Sequence, residues 1–204
     1  MPPSTANEPA VTARPPTSEP APRAVGWILA ACGTVGLVAA FTLLVEKIRL
    51  VADPAYNPSC SISPLLSCGS VMSTPQAEIF GFPNPILGVA AFAALTTAGV
   101  TIASGARLPG WYWMTLTAAT ALGTIFVHWL IVQSVYRIGA LCPYCMVVWV
   151  VTITAFVAVL TRWSRTGALP AWIADHAVTI TIAWLLAVTT LITVQFWDYW
   201  ITLI

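Results

Sequence analysis

The run AVGWILAACGTVGLVAAFTLLV, residues 24–45, contains no Asp, Glu, Lys, Arg or His. Crossing the hydrocarbon core of a bilayer takes roughly 20 apolar residues in a helix, and this run has 22. It is about twice as long as the apolar core of a secretion signal, so it reads as a retained span and not as a cleaved leader. Four more runs share its character, at about 85–103, 111–135, 141–161 and 177–197. Lipid offers no partners to backbone amides and carbonyls, so all five must be helical. None shows the alternation of a strand. The sequence predicts an all-α integral membrane protein.

The rest of the composition agrees. Hydrophobic residues make up 58% of the chain and charged residues 7%, against about a quarter charged in an ordinary soluble domain. Aromatic residues gather at span ends: Trp111, Tyr112 and Trp113 open the third, and Trp197, Tyr199 and Trp200 close the fifth. That is where amphipathic rings settle at a membrane interface. Pro85 suits the first turn of the second span, where a missing N–H costs nothing. The net charge is +1 with no basic stripe, which excludes nucleic acid as a partner.

Met1–Arg23 is rich in Pro, Ala, Ser and Thr. It cannot bury enough surface to offset its ordering entropy and is expected to be a disordered cytoplasmic tail. Arg14, Arg23, Arg107, Arg162 and Arg165 fall on one side of the membrane, and Lys47, Arg49 and Arg137 on the other. This bias places the N-terminus in the cytoplasm and the C-terminus outside. Residues 163–204 form a cytoplasmic loop and the fifth span.

The loop 46–84 lies outside on this topology and contains Pro54, Pro58, Pro64 and Pro75, so it cannot be one long helix. Within it, Thr74 is expected to cap a short helix that starts at Pro75 and ends at Gly81. Ile79, Phe80 and Phe82 make that segment apolar enough to lie on the membrane surface.

Four of the five cysteines carry the functional signal. Cys60 and Cys68 lie in the first loop; Cys142 and Cys145 lie where the third loop meets the fourth span. Loops one and three share a membrane face whichever way the chain inserts, so all four cysteines do too. In Leu141-Cys142-Pro143-Tyr144-Cys145, Cys142 falls at a helix N-terminus and Cys145 one turn deeper, three residues on and within disulfide reach. The positive end of the helix favours thiolate, as in other Cys-x-x-Cys sites. Cys145 is expected to face the membrane solutes and Cys142 the loop. A purely structural role is weaker, because so short a ring constrains the unfolded chain little. A zinc site is also disfavoured: seven residues separate Cys60 from Cys68, where zinc ribbons use two short-spaced pairs. Cys32 sits without a partner inside the first span and is assigned no role.

Taken together these motifs resemble the vitamin K epoxide reductase family in its bacterial form. The resemblance covers roughly Ala24 to Leu160. It rests on Cys60 and Cys68, on Gly69-Ser70-Val71-Met72-Ser73-Thr74-Pro75, on Asn84-Pro85-Ile86-Leu87-Gly88, and on Cys142-Pro143-Tyr144-Cys145.

The resemblance implies a four-helix bundle over residues 24–162 around a quinone, with the fifth helix peripheral. It implies a thiol:quinone oxidoreductase of the plasma (inner) membrane that supports disulfide formation. A thioredoxin-like protein outside the membrane would be oxidised by a Cys60–Cys68 disulfide. Electrons would pass through a Cys68–Cys142 mixed disulfide to Cys145, and then to menaquinone or ubiquinone, with no metal. Related chains often carry the thioredoxin-like partner as a fused domain; this one stops at Ile204, so a separate partner is expected. The resemblance also implies that Asn84 donates to the quinone carbonyl and that Thr74 lies near the quinone. Trp149 stands where animal members have Tyr, a departure in the quinone pocket.

His128, in the third span, suits interhelical hydrogen bonding better than proton relay, because a dithiol brings its own two protons. Three other readings are open to these residues. A second quinone-linked disulfide family carries its Cys-x-x-Cys in the first loop, the reverse of the order here. A transporter needs midplane charges that these spans lack. A non-catalytic scaffold with structural disulfides remains as the alternative.

Overall fold

The computed structural model describes residues 23–201. Helix α1 (Arg23–Ala52) leads into a loop that holds the short α2 (Cys68–Met72) and a 3₁₀ turn (Pro75–Glu78). Then follow α3 (Asn84–Ala103), α4 (Gly110–Val132) with a π-helical extension (Gln133–Ile138), and α5 (Pro143–Arg165). A short α6 (Trp172–Asp175), α7 (Ala177–Gln195) and α8 (Trp197–Ile201) complete the described chain. Five of these helices are long and apolar enough to cross a membrane: α1, α3, α4 with its extension, α5 and α7. The protein is an all-α, multi-pass membrane protein.

Each span is close to its expected position, and the differences have local causes. The disordered tail expected for Met1–Arg23 lies outside the described residues except for Arg23, which opens α1. Helix α1 runs seven residues past Val45, to Ala52. Glu46 and Lys47 can stay buried there because the loop supplies their partners. Span four begins at Pro143, because Leu141 pairs with the first loop and Cys142 is the N-cap. Span five ends at Gln195, and Trp197 opens a separate short helix.

The spans are rich in threonine, and many of those hydroxyls bond within their own helix. Thr34, Thr42, Thr96, Thr97, Thr101 and Thr152 each donate to the carbonyl four residues back. This satisfies a hydroxyl without presenting it to lipid.

Helix α1 packs most extensively on α3, then on α5, while α4 packs on α5. Lipid and side chains are equally apolar, so span association depends on close contact more than on burial. Glycines supply that contact. A Cβ added at Gly99 would fall on the backbone N of Ala30, and one at Gly26 on the backbone N of Ala103. At Gly33 it would lie 2.5 Å from the backbone N of Thr96. Around this seam Leu29, Ile102 and Val159 are fully enclosed.

Helix α7 is peripheral, as expected; Ile192 is its one buried residue. It is tied in by a hydrogen bond from Trp184 Nε1 to His128 Nε2, 2.9 Å. His128 Nδ1 lies 2.8 Å from the Thr124 carbonyl, to which it donates in the matching tautomer. Both ring nitrogens are therefore engaged, one of them between helices.

Candidate active site

Two stretches of backbone bring the cysteines together. Leu66 and Leu141 form an isolated parallel β-bridge, in which Ser67 N donates to Leu141 O (2.9 Å) and Leu141 N donates to Leu65 O (2.8 Å). The residues that follow on each side are Cys68 and Cys142. Cys68 starts α2, which Ser67 caps by accepting from Ser70 N. Sequence reasoning missed α2, although Ser67-Cys68-Gly69-Ser70 offers a serine cap immediately before it.

Cys60 and Cys68 are joined in a disulfide. Two of the four thiols that a tetrahedral zinc site would need are thus bonded to each other. Cys142 and Cys145 are free thiols. Cys142 Sγ lies 3.2 Å from Cys68 Sγ, and both residues are fully buried. Cys60, Cys68 and Cys142 share one cluster with Leu43 and Met72, against which Cys145 packs. All four cysteines therefore sit at one end of the bundle.

Cys142 is the N-cap of α5, and its sulfur accepts from Cys145 N at 3.4 Å. The Cys145 thiol donates to it as well, and the backbone N–H groups of Cys145 and Tyr144 point at it; together these outweigh burial and hold Cys142 below the ordinary thiol range. A lowered thiol pKa keeps thiolate populated to lower pH, and it is lost as pH falls through the folded value. Titration with the loop disulfide intact and the helix pair reduced, followed by thiolate ultraviolet absorbance, is expected to show a Cys142 midpoint lowered from that of an ordinary thiol. Removing the largest cause, in Cys145→Ala, is expected to raise the Cys142 midpoint. A midpoint that does not move with Cys145→Ala would contradict this account.

On its other side Cys145 lines a cavity of about 470 Å³ walled by residues of four spans. Pockets of about 300–1,000 Å³ suit ligands of cofactor size. Its walls include Leu43 of α1, Asn84 and Phe92 of α3, Thr120 and Phe126 of α4, and Cys145, Trp149 and Thr152 of α5, with Met72 and Thr74 of the first loop. Thr74, Asn84 and Trp149 are thus brought together with Cys145, whereas Cys60, Cys68 and Cys142 are not among the lining residues.

Thr74 departs from its expected role as a cap. It occupies the N-cap position of a 3₁₀ turn, but its side chain caps nothing there. Its hydroxyl donates back to Val71 O at 2.8 Å, and a carbonyl so close behind competes with the cap. The segment ends at Glu78, three residues before the expected Gly81, which instead takes a left-handed turn at φ +80°; Ile79, Phe80 and Phe82 are left exposed. Ser134 and Gln133, in the π-helical extension, also line the cavity. They were not foreseen, since only the π distortion, frequent at functional sites, distinguishes them.

Two buried polar atoms in lining residues have no partner among the described residues. Asn84 Nδ2 donates to Gln76 O at 2.8 Å, which fixes the amide and leaves Oδ1 unpaired. Trp149 Nε1 is also unpaired, in a side chain only 2% exposed. Such atoms cost about 1–3 kcal/mol each when left unmet. Both atoms belong to residues that line the largely apolar cavity, and each is covered by its neighbours.

A disulfide, an adjoining dithiol and an apolar chamber in series can relay electrons between thiols and a lipid-soluble acceptor. Comparison with curated proteins finds no match. The model of the vitamin K epoxide reductase family matches residues 27–160, about two thirds of the chain and all four of these cysteines. The chain belongs to that family, and it is a membrane thiol–disulfide oxidoreductase.

Proposed function

We propose that this protein oxidises a separate thioredoxin-like dithiol protein on the outer face of the plasma membrane and delivers the electrons to a membrane quinone. The proposal rests chiefly on one arrangement: Cys68 Sγ stands 3.2 Å from Cys142 Sγ while Cys145, one turn on, lines the cavity. The N-terminus lies in the cytoplasm, so the loop disulfide meets proteins outside.

The reaction balances in four steps. The partner's dithiol reduces Cys60–Cys68 and leaves as a disulfide. Cys68 thiolate attacks Cys142 of an oxidised Cys142–Cys145 pair, forming Cys68–Cys142 and releasing Cys145 thiolate. Cys60 attacks Cys68, which restores the loop disulfide and frees Cys142. The Cys142/Cys145 dithiol then gives two electrons and two protons to the quinone and closes to a disulfide. The state in the structure, with the loop pair oxidised and the helix pair reduced, corresponds to the enzyme before the last step. The low pKa of Cys142 makes it the better leaving group in the third step.

In the cavity Trp149 Nε1 donates to a quinone carbonyl. Asn84, which the resemblance casts as a donor to the quinone carbonyl, already donates from Nδ2 to Gln76 O, so its Oδ1 is the group left to accept from a quinol hydroxyl. Thr74 closes the chamber from the loop side. Menaquinone and ubiquinone both meet this chemistry.

The test traps the intermediate. In Cys60→Ala the third step cannot occur, so Cys68–Cys142 is expected to accumulate when quinone and a reduced dithiol are supplied, and mass spectrometry of peptides reads it directly. Absence of that bridge, with wild-type turnover retained, would sink the proposed path. A scaffold with structural disulfides predicts no quinone reduction in the wild type.

A further inference from the structure

The reaction path leaves two charged residues unexplained. Glu46 and Lys47 are neighbours near the outer end of α1, and both are buried. A charge taken out of water is costly unless it is paired and hydrogen-bonded, so the partners these two select show what they hold.

Their partners lie on opposite arms of the loop disulfide. The Glu46 carboxylate accepts from Tyr56 OH at 2.8 Å and from Ser59 Oγ at 2.7 Å. Ser59 immediately precedes Cys60. Arg49 extends this chain by donating to Tyr56 OH at 3.3 Å. The Lys47 ammonium instead donates to Met72 O at 2.8 Å and pairs with Glu78 Oε1 at 2.8 Å. Met72 is the last residue of α2, whose first is Cys68. The last carbonyls of a helix lack partners within it, and that end carries negative charge, so the ammonium both satisfies and attracts it.

Cys60 is only 5% exposed, so a protein dithiol cannot reach the loop disulfide while the Cys60 arm is seated. Cys68, in contrast, must stay close to Cys142 for the internal transfer. The two arms have different tasks, and each has its own clamp. We propose that Glu46 and Lys47 are positioning residues with divided roles: Glu46 seats the Cys60 arm and governs how readily the loop disulfide is reached, and Lys47 holds α2 so that Cys68 stays within reach of Cys142. This rests on the reading of the loop pair as the donor-side disulfide.

Two readouts on the full-length protein in detergent separate the roles, and neither follows quinone turnover. The first is the rate at which a water-soluble phosphine reduces Cys60–Cys68. The second is the rate of Cys68–Cys142 bridge formation in the Cys60→Ala background, once added quinone has taken two electrons from the Cys142–Cys145 pair. Glu46→Gln is expected to raise the phosphine rate about tenfold and to change the bridge rate less than twofold, since the carboxylate acts only on the other arm. Lys47→Met is expected to lower the bridge rate about tenfold, because it frees the end of α2 and leaves Glu78 unpaired. Lys47→Arg is expected to restore most of that loss.

Tyr56→Phe and Ser59→Ala weaken the same carboxylate clamp from the loop side, and each is expected to give part of the Glu46→Gln effect. They serve if Glu46→Gln does not fold. Equal losses of both readouts in Glu46→Gln and Lys47→Met, or none in either, would overturn the division of roles. Failure of the bridge to form with Glu46 and Lys47 intact would instead count against the electron path itself.

Discussion

Quinone reduction by the Cys145→Ala variant is expected to fall to the uncatalysed background, a loss of more than about 10³-fold, the scale on which removal of a reacting nucleophile acts. Cys145 is the one cysteine of the four that lines the cavity. Without it the dithiol cannot close to a disulfide, so two electrons have no way onto the ring. Cys68–Cys142 exchange has no released thiolate either, so the block falls on both sides of the second pair. The matched control is Cys32→Ala. Cys32 is buried in the core shared by α1, α3 and α5, away from the other four, and its removal is expected to leave turnover unchanged. Following quinone absorbance with a reduced dithiol donor measures both variants. Turnover that survives Cys145→Ala would rule out this residue as the electron donor to the quinone.

The second large effect concerns stability. Gly99→Leu is expected to keep α1 and α3 from docking, because even the first carbon of the new side chain falls on the Ala30 backbone. Backbone cannot give way as a flexible side chain can. Gly99→Ala is the graded version and is expected to cost about 1–3 kcal/mol, the usual range for an overpacked interior site. Gly110→Ala is the control. A Cβ there meets nothing within 4 Å, so no more than a small change is expected. Denaturation in detergent, followed by helical circular dichroism, compares the three. If Gly99→Leu unfolds at the same point as Gly110→Ala, the α1–α3 seam is not the close contact described.

The two expectations differ in how far the sequence announces them. Apolar length alone marked the five spans, because a bilayer permits no other use for such runs. Span parity puts the four cysteines on one face. Pro143 and the Cys-x-x-Cys spacing placed Cys142 at the head of a helix and Cys145 one turn inward, and Cys142 is the observed N-cap.

Other features were beyond reach. Nothing near Gly99 or Gly26 distinguishes a glycine pressed against another backbone from one facing lipid, since that depends on which helix lies opposite. Glu46 and Lys47 read as ordinary loop charges until the loop folds back over them. Thr74 had the right neighbours for a cap, but the Val71 carbonyl lay closer to its hydroxyl.

The sequence by itself determined the five spans and the end of the bundle at which the thiol chemistry sits. These follow from local composition and from the solvent properties of lipid. Only the tertiary structure decided which sulfurs approach each other. The Leu66–Leu141 bridge joins residues 75 positions apart, and such a pairing has no local signature. It sets Cys68 beside Cys142, and the packing of four helices then leaves Cys145 facing a chamber with an unpaired donor and an unpaired acceptor in its lining residues.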